Sequence, residues 1–258
     1  MLAYHCTGQG LPVVLLHGWG FWGGIWSEVQ AELAKDCQVF SVDLPGYGQS
    51  EAMADYSLTH LARLLVTQLP LNQPALWLGW SLGGLLALAV ARDYPAHCRA
   101  LLLVASTPCF VQREDWPHAV PLPVLDAFGQ QVKQNHPASL NRFLTLQVQG
   151  SLCAQQQLRS LRQQFKQQPT PALTTLQAGL DLLKYSDLRQ TMLNFDQDIG
   201  LFLGERDTLI PKELAEVYQN LPNVTRHCIK GAGHIPFLSH QTVFLTLLKT
   251  YLTTRNTP

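Results

Sequence analysis

Between residues 75 and 93 the chain passes from an apolar run through a glycine-flanked serine into a second apolar stretch. Ala75-Leu76-Trp77-Leu78 leads into Gly79-Trp80-Ser81-Leu82-Gly83, and residues 82–93 are apolar on nearly every side until Tyr94-Pro95 ends them. A short unbroken apolar run suits a strand covered on both faces, and a helix apolar almost all round has to pack against a sheet. Proline stops the helix. The G-x-S-x-G string between them predicts a turn so tight that side chains at the glycines would strike neighbouring backbone. Such a turn lifts the Ser81 hydroxyl above the sheet at a helix N-terminus, where the Leu82 N–H faces developing negative charge. Glycine and serine are common, so the string alone also fits an ordinary strand-to-helix turn. The strand before it and the helix after it favour a nucleophile.

The same alternation recurs along the chain. Strands are predicted at 12–16, 37–42, 75–78, 101–105, 199–203 and 226–229, with helices at 25–35, 57–69 and 82–93 between the earlier ones. Strands alternating with helices predict an α/β fold with a mostly parallel, doubly wound sheet. The alternation fails between about Pro108 and Asp187, where glutamine-rich stretches near 122–134, 138–149, 154–167 and 171–184 read as helices. This segment is expected to be an inserted helical cap over residues 110–190, dividing the core into 1–109 and 191–258. Strands are expected to resume after Asp187-Leu188-Arg189.

Composition excludes several classes. Eighteen basic and eighteen acidic residues cancel, so no global field favours nucleic acid or an anionic membrane. The first residues lack the basic and apolar regions of a secretory signal, and no apolar run approaches the ~20 residues needed to span a bilayer. Cys6, Cys37, Cys98, Cys109, Cys153 and Cys228 show no paired or metal-ligand spacing and read as reduced thiols, which makes the cytoplasm the expected setting; a monomer is expected separately. No motif calls for a metal or any other cofactor.

Three further strings each follow a predicted strand. His17-Gly18-Trp19-Gly20 follows the first, and a glycine-flexed loop beside the serine turn supplies a second oxyanion donor, the Trp19 N–H. His17 is expected to brace this loop rather than transfer protons. Gly204-Glu205-Arg206-Asp207 follows the fifth; Asp207 is preferred over Glu205 as the orienting acid because Leu209-Ile210-Pro211 turns it inward. Asp43, before Leu44-Pro45-Gly46, is expected to pin its own turn. Gly231-Ala232-Gly233-His234 follows the last strand and offers His234 as base, with His240 as the alternative. Histidines 5, 60, 97, 118, 136 and 227 form no ligand pattern and read as surface or packing residues. The expected catalytic set is Ser81, Asp207 and His234, in the chain order of a serine hydrolase.

With these residues in place, the chain resembles the α/β-hydrolase superfamily over nearly its whole length. Trp80 inside the serine turn, Ala105-Ser106-Thr107-Pro108-Cys109-Phe110, Asp115-Trp116-Pro117, Arg142-Phe143-Leu144-Thr145-Leu146-Gln147 and Tyr185-Ser186-Asp187-Leu188-Arg189 narrow the resemblance. They look like the pimeloyl-[acyl-carrier protein] methyl ester esterases of bacterial biotin synthesis. That resemblance implies a serine carboxylesterase releasing methanol from a carrier-bound pimeloyl chain. It implies substrate contacts at Trp19, Ser81, Leu82, Phe143, Leu144, Thr145, Leu146, Gln147 and His234. Trp80, Phe110 and Phe143 are expected to line an apolar tunnel. Arg142, Arg159, Arg162 and Lys166 sit among few acids and are expected to dock an acidic acyl carrier protein, a solvated helix face being the alternative. Rival readings are a short-chain carboxylesterase, a C–C bond hydrolase, a cofactor-free haloperoxidase, or a noncatalytic binding relative. Serine at 81 argues against the aspartate-nucleophile dehalogenases and epoxide hydrolases.

Overall fold

Most of the strands are apolar runs buried on both faces of one sheet; the first and the last, at its two edges, are the exceptions. In the computed structural model, which describes residues 1–149, 151 and 154–255, the strands are β1 (Tyr4–Thr7), β2 (Leu11–Leu16), β3 (Cys37–Val42), β4 (Ala75–Trp80), β5 (Cys98–Val104), β6 (Asp198–Gly204) and β7 (Val224–Ile229). Their order across the sheet is β1-β3-β2-β4-β5-β6-β7, parallel throughout except for β1. Sequence reading missed β1. Its residues are mostly exposed and carry no apolar run; pairing of Tyr4 with Val42 and Thr7 with Val39 makes it a strand.

Alternate residues of the strands enter two cores. Val14 and Leu16 of β2 face one, with α2 (Leu58–Gln68) and α3 (Leu82–Asp93); Val13 and Leu15 face the other, with α1 (Ser27–Leu33). The short turn Gly23–Trp26 precedes α1, so the helix starts two residues later than the apolar spacing predicts. Ser57 accepts the His60 N–H and caps α2.

Between β5 and β6 lie α4 (Leu122–Gln134), α5 (His136–Gln147), α6 (Ala154–Phe165) and α7 (Leu173–Tyr185). Asn135 ends α4 and caps α5 by accepting the Ala138 N–H, which fixes the corner between them. The two ends of this helical insertion are tied together. Leu188 donates to the Pro108 carbonyl, and Arg189 bridges Asp187 and Asp115 while lying over the Trp116 ring. A further short helix, α8 (Arg189–Leu193), precedes β6 where a direct return to strand was expected. Beyond β6 come α9 (Leu214–Val217), α10 (Pro236–Ser239) and α11 (Gln241–Arg255). Among the described residues no helix is long and apolar enough to cross a membrane. Cys6, Cys37, Cys98, Cys109 and Cys228 are free thiols; Cys153 lies outside the described residues.

From β2 the chain moves to β3 on one side, then crosses to β4 on the other. The loops leaving the C-terminal ends of β2 and β4 therefore diverge, opening the crevice in which open α/β sheets bind ligands.

Candidate active site

At the end of β4, Ser81 has φ 54° and ψ −118°, a backbone state that L-residues rarely hold. Close packing on three sides imposes it. A Cβ at Gly79 would sit 2.2 Å from the Gly83 carbonyl oxygen, and one at Gly83 would sit 2.3 Å from that of Leu16. The Ser81 N–H donates to the Val104 carbonyl at 3.0 Å, and the Ser106 hydroxyl donates to the Ser81 carbonyl at 2.7 Å. Leu82 is the first residue of α3, so its N–H has no acceptor within the helix.

His234 stands on the loop after β7. Its Nδ1 lies 2.8 Å from Asp207 Oδ2, while Asp207 Oδ1 accepts the N–H groups of Leu209 and Ile210 at 2.8 and 3.0 Å. An ionised carboxylate only accepts, so this contact puts the imidazole proton on Nδ1 and leaves Nε2 its lone pair. Both side chains are buried, and Nε2 has no hydrogen-bond partner among the described residues. Trp80, next to Ser81 in the chain, donates its indole N–H to the His234 carbonyl at 2.8 Å. The competitors lie elsewhere: Glu205 accepts the Gly231 N–H, and the His240 ring pairs with Ser239 Oγ.

The loop after β2 carries no side chain at Gly18 or Gly20, and Phe21 donates back to the Gly18 carbonyl. His17 Nδ1 lies 2.8 Å from the Gly18 oxygen and its Nε2 accepts the Leu44 N–H at 3.0 Å. Burial lowers its pKa to about 4, with the Gly18 hydrogen bond and the Asp43 charge pulling weakly the other way. It is neutral at pH 7 and both nitrogens are engaged in holding the loop. Asp43 bonds the N–H groups of Gly23 and Gln49, joining its own turn to the neighbouring one.

Above Ser81 the helical insertion encloses a cavity of about 460 Å³. Trp19 and Ser81 form its floor; Phe110, Phe128, Phe143, Leu180 and Leu183 are among its apolar walls. Besides Ser81, its polar lining is Gln131 and Arg142, both exposed, with Arg142 Nη1 3.4 Å from Gln131 Oε1. Of the sequence-expected contacts, Trp19, Ser81, Phe143 and Leu146 line this space. Leu144 turns into the core, exposed Thr145 bonds the Asn141 carbonyl, and Gln147 is buried with its amide on the Phe143 carbonyl. Helical spacing explains the split, since consecutive residues of α5 cannot share one face. Trp80 corrects the tunnel expectation. Its ring packs against Phe21, Phe237 and the His234 ring, in the core that also holds Val13 and Leu15, and does not line the cavity. Phe128, Leu180 and Leu183 were not anticipated, because apolar residues in amphipathic helices signal burial without saying what they bury against.

Among the described residues no group of three or more His, Cys, Asp or Glu is placed to hold a metal ion. A buried carboxylate–imidazole pair, a strained serine at a helix N-terminus and an apolar cavity above it are the parts of an acyl-transfer site on an α/β fold.

Comparison with known proteins agrees with that class. A family model described as alpha/beta hydrolase fold matches residues 12–241, and the chain belongs to this family. Curated relatives include a pimeloyl-[acyl-carrier protein] methyl ester esterase of Xylella fastidiosa, 39% identical over 252 residues, covering 96% of this chain and 97% of the relative. A protein of the same name from Shewanella oneidensis is 38% identical over 248 residues, covering 95% and 92%. At that identity and coverage, the chain belongs to the family these relatives represent. Among solved structures, an esterase from Exiguobacterium antarcticum superposes with a TM-score of 0.88 at 26% identity, covering 98% of this chain and 95% of that one. A bromoperoxidase from Bacillus anthracis, at 22% identity and TM-score 0.85 over 98% and 95%, shares the fold.

Proposed function

We propose that this chain is a serine esterase that hydrolyses the methyl ester of pimeloyl-[acyl-carrier protein], releasing methanol and the free carrier-bound acid. The observation that carries this reading is the apolar cavity lined by Ser81, together with a buried His234–Asp207 pair whose loop is bonded to Trp80, the chain neighbour of that serine. Its volume falls within the roughly 300–1,000 Å³ of small-molecule sites. A methylene chain gains by leaving water for such walls.

In this reading Ser81 attacks the ester carbonyl as His234 Nε2 takes its proton. Asp207 holds the imidazole in the required tautomer and stabilises the imidazolium. The N–H groups of Leu82 and Trp19 receive the oxyanion, in a site where fixed donors count for more than in water. His234 then protonates departing methanol and activates the water that releases the acid. The carrier would remain outside the cavity mouth, beside Gln131 and Arg142. Arg142, Arg159, Arg162 and Lys166 form no ion pair among the described residues, and this unneutralised charge supports docking of an acidic carrier protein. A carrier-bound substrate implies a cytoplasmic setting.

Incubation of pimeloyl-[acyl-carrier protein] methyl ester with wild type and Ser81→Ala, followed by carrier mass, tests the proposal. Demethylation by wild type alone is expected. Cleavage of short chromogenic esters without demethylation would leave an esterase of another substrate, and turnover by Ser81→Ala would overturn the serine mechanism.

A further inference from the structure

Trp19 lies between two glycines, and its side chain is held by the helical insertion. The indole N–H donates to the Leu176 carbonyl of α7 at 2.8 Å. The ring meets Phe128 of α4 and Phe143 of α5 edge-on, with centroids 5.3 and 4.9 Å apart. A third element of the fit is Gly179 of α7, where an added Cβ would stand 2.8 Å from Trp19 Cδ1 and 3.2 Å from the Tyr47 hydroxyl. Only glycine allows α7 to approach the indole this closely.

His17 holds the Gly18 end of this loop, while the Trp19 peptide itself sits between two glycines, the second at φ 76°. A side chain buried and bonded to α7 therefore restrains the peptide it hangs from. We infer that Trp19 and Gly179 form a latch through which the insertion positions the Trp19 N–H, the second oxyanion donor, so that the donor is aligned only when α7 is seated. This rests on the acyl-transfer reading given above. Gly179 acts here as a positioning residue and touches no reacting atom. The physical reason is that an oxyanion donor helps only if it already points at the developing charge, and a misplacement of about 1 Å can cost on the order of 100-fold in rate.

The test uses Trp19→Phe, which keeps a ring and the backbone N–H but removes the indole N–H that bonds Leu176, and Gly179→Ala, which alters only the α7 side. Three quantities are measured for each: kcat and KM on a short chromogenic ester, affinity for an alkyl boronic acid that forms a tetrahedral serine adduct, and the melting temperature. Gly179→Ala is expected to lose about tenfold or more in kcat with KM within about twofold of wild type. Trp19→Phe, which also changes the cavity lining, is expected to lose kcat to the same extent whatever its KM. Boronate affinity should fall in step, because a misaligned donor is felt in the tetrahedral state and not in substrate binding. Alanine is the better helix former, so Gly179→Ala offers a background in which lost activity does not track lost helix stability. A merely structural role predicts the reverse: lower melting temperature or raised KM with kcat and boronate affinity unchanged, and that result overturns the latch. If Trp19→Phe fails to fold, Gly179→Ala decides alone. Ser81→Ala separates the two levels. An inactive Ser81→Ala beside fully active latch variants refutes the latch only, whereas an active Ser81→Ala refutes the site itself.

Discussion

His17 is wholly buried, and desolvation outweighs the Gly18 carbonyl and the Asp43 charge in holding its pKa at about 4, below the ordinary 6.5. An unfolded chain takes up this proton near pH 6.5 and the folded one does not until about 4. The unfolded state therefore binds more protons in between, and the stabilisation is complete above about 6.5 and lost as pH falls toward about 4. Its size is about 3 kcal/mol. Urea melts between about pH 4 and 7 should show this loss in wild type and a flatter profile in His17→Gln; identical slopes would remove His17 as the source. Asp207 carries a second residue-scale prediction. An asparagine in its place would keep the size of the side chain but can present its amide to Nδ1, inverting the tautomer. Asp207→Asn should lower kcat on the order of 10⁴-fold with the fold intact, measured by steady-state kinetics alongside far-UV circular dichroism. The three residues proposed as the triad were legible because each is announced by its own turn: glycines before or after, a strand ahead. Turn chemistry is local, so short strings carry it.

At the scale of elements, the contact between α3 and β2 sets the site. Gly83 in the first turn of α3 lies against the Leu16 and His17 carbonyls, the point at which β2 becomes the loop carrying Trp19. Gly83→Ala places a methyl 2.3 Å from the Leu16 oxygen, and backbone atoms cannot yield as a flexible side chain can. It should destabilise the protein by about 1–3 kcal/mol despite alanine's higher helix propensity. Thermal and denaturant melts read this, and unchanged stability would mean that β2 and α3 are not rigidly spaced. The elements themselves were predicted within a few residues wherever an apolar run or a helical period was long. β1 and α8 escaped because pairing with β3 and the turn after Leu188 create them, and neither has an apolar pattern of its own.

Across the whole molecule, charge is balanced yet unevenly placed. Arg159 and Arg162 lie exposed on α6 and do not line the cavity, so they bear on a partner without touching the reacting ester. Arg159→Glu combined with Arg162→Glu should reduce kcat/KM for a carrier-bound ester several-fold or more at low salt. The defect should shrink as ionic strength rises and short esters should be cleaved as by wild type. Equal loss on both substrates would assign these residues to the integrity of α6 instead. A carrier-bound ester turned over at the wild-type rate would remove them from docking.

The sequence by itself determined six of the seven sheet strands and the serine turn, and it singled out the acid and base strings proposed for the site, because strand burial and glycine-dependent turns are properties of a few consecutive residues. It also marked the helical stretch between β5 and β6, since four helices in a row leave a clear break in the alternation. Tertiary structure alone decided how these parts meet. Which residues of Arg142–Gln147 face the cavity depends on how α5 is rotated against α4 and α7. That Trp80 braces the His234 loop, while Trp19 reaches out to Leu176, depends on which face of the sheet each indole enters. Those contacts join residues more than 150 positions apart, and no local pattern encodes a hydrogen bond over that separation.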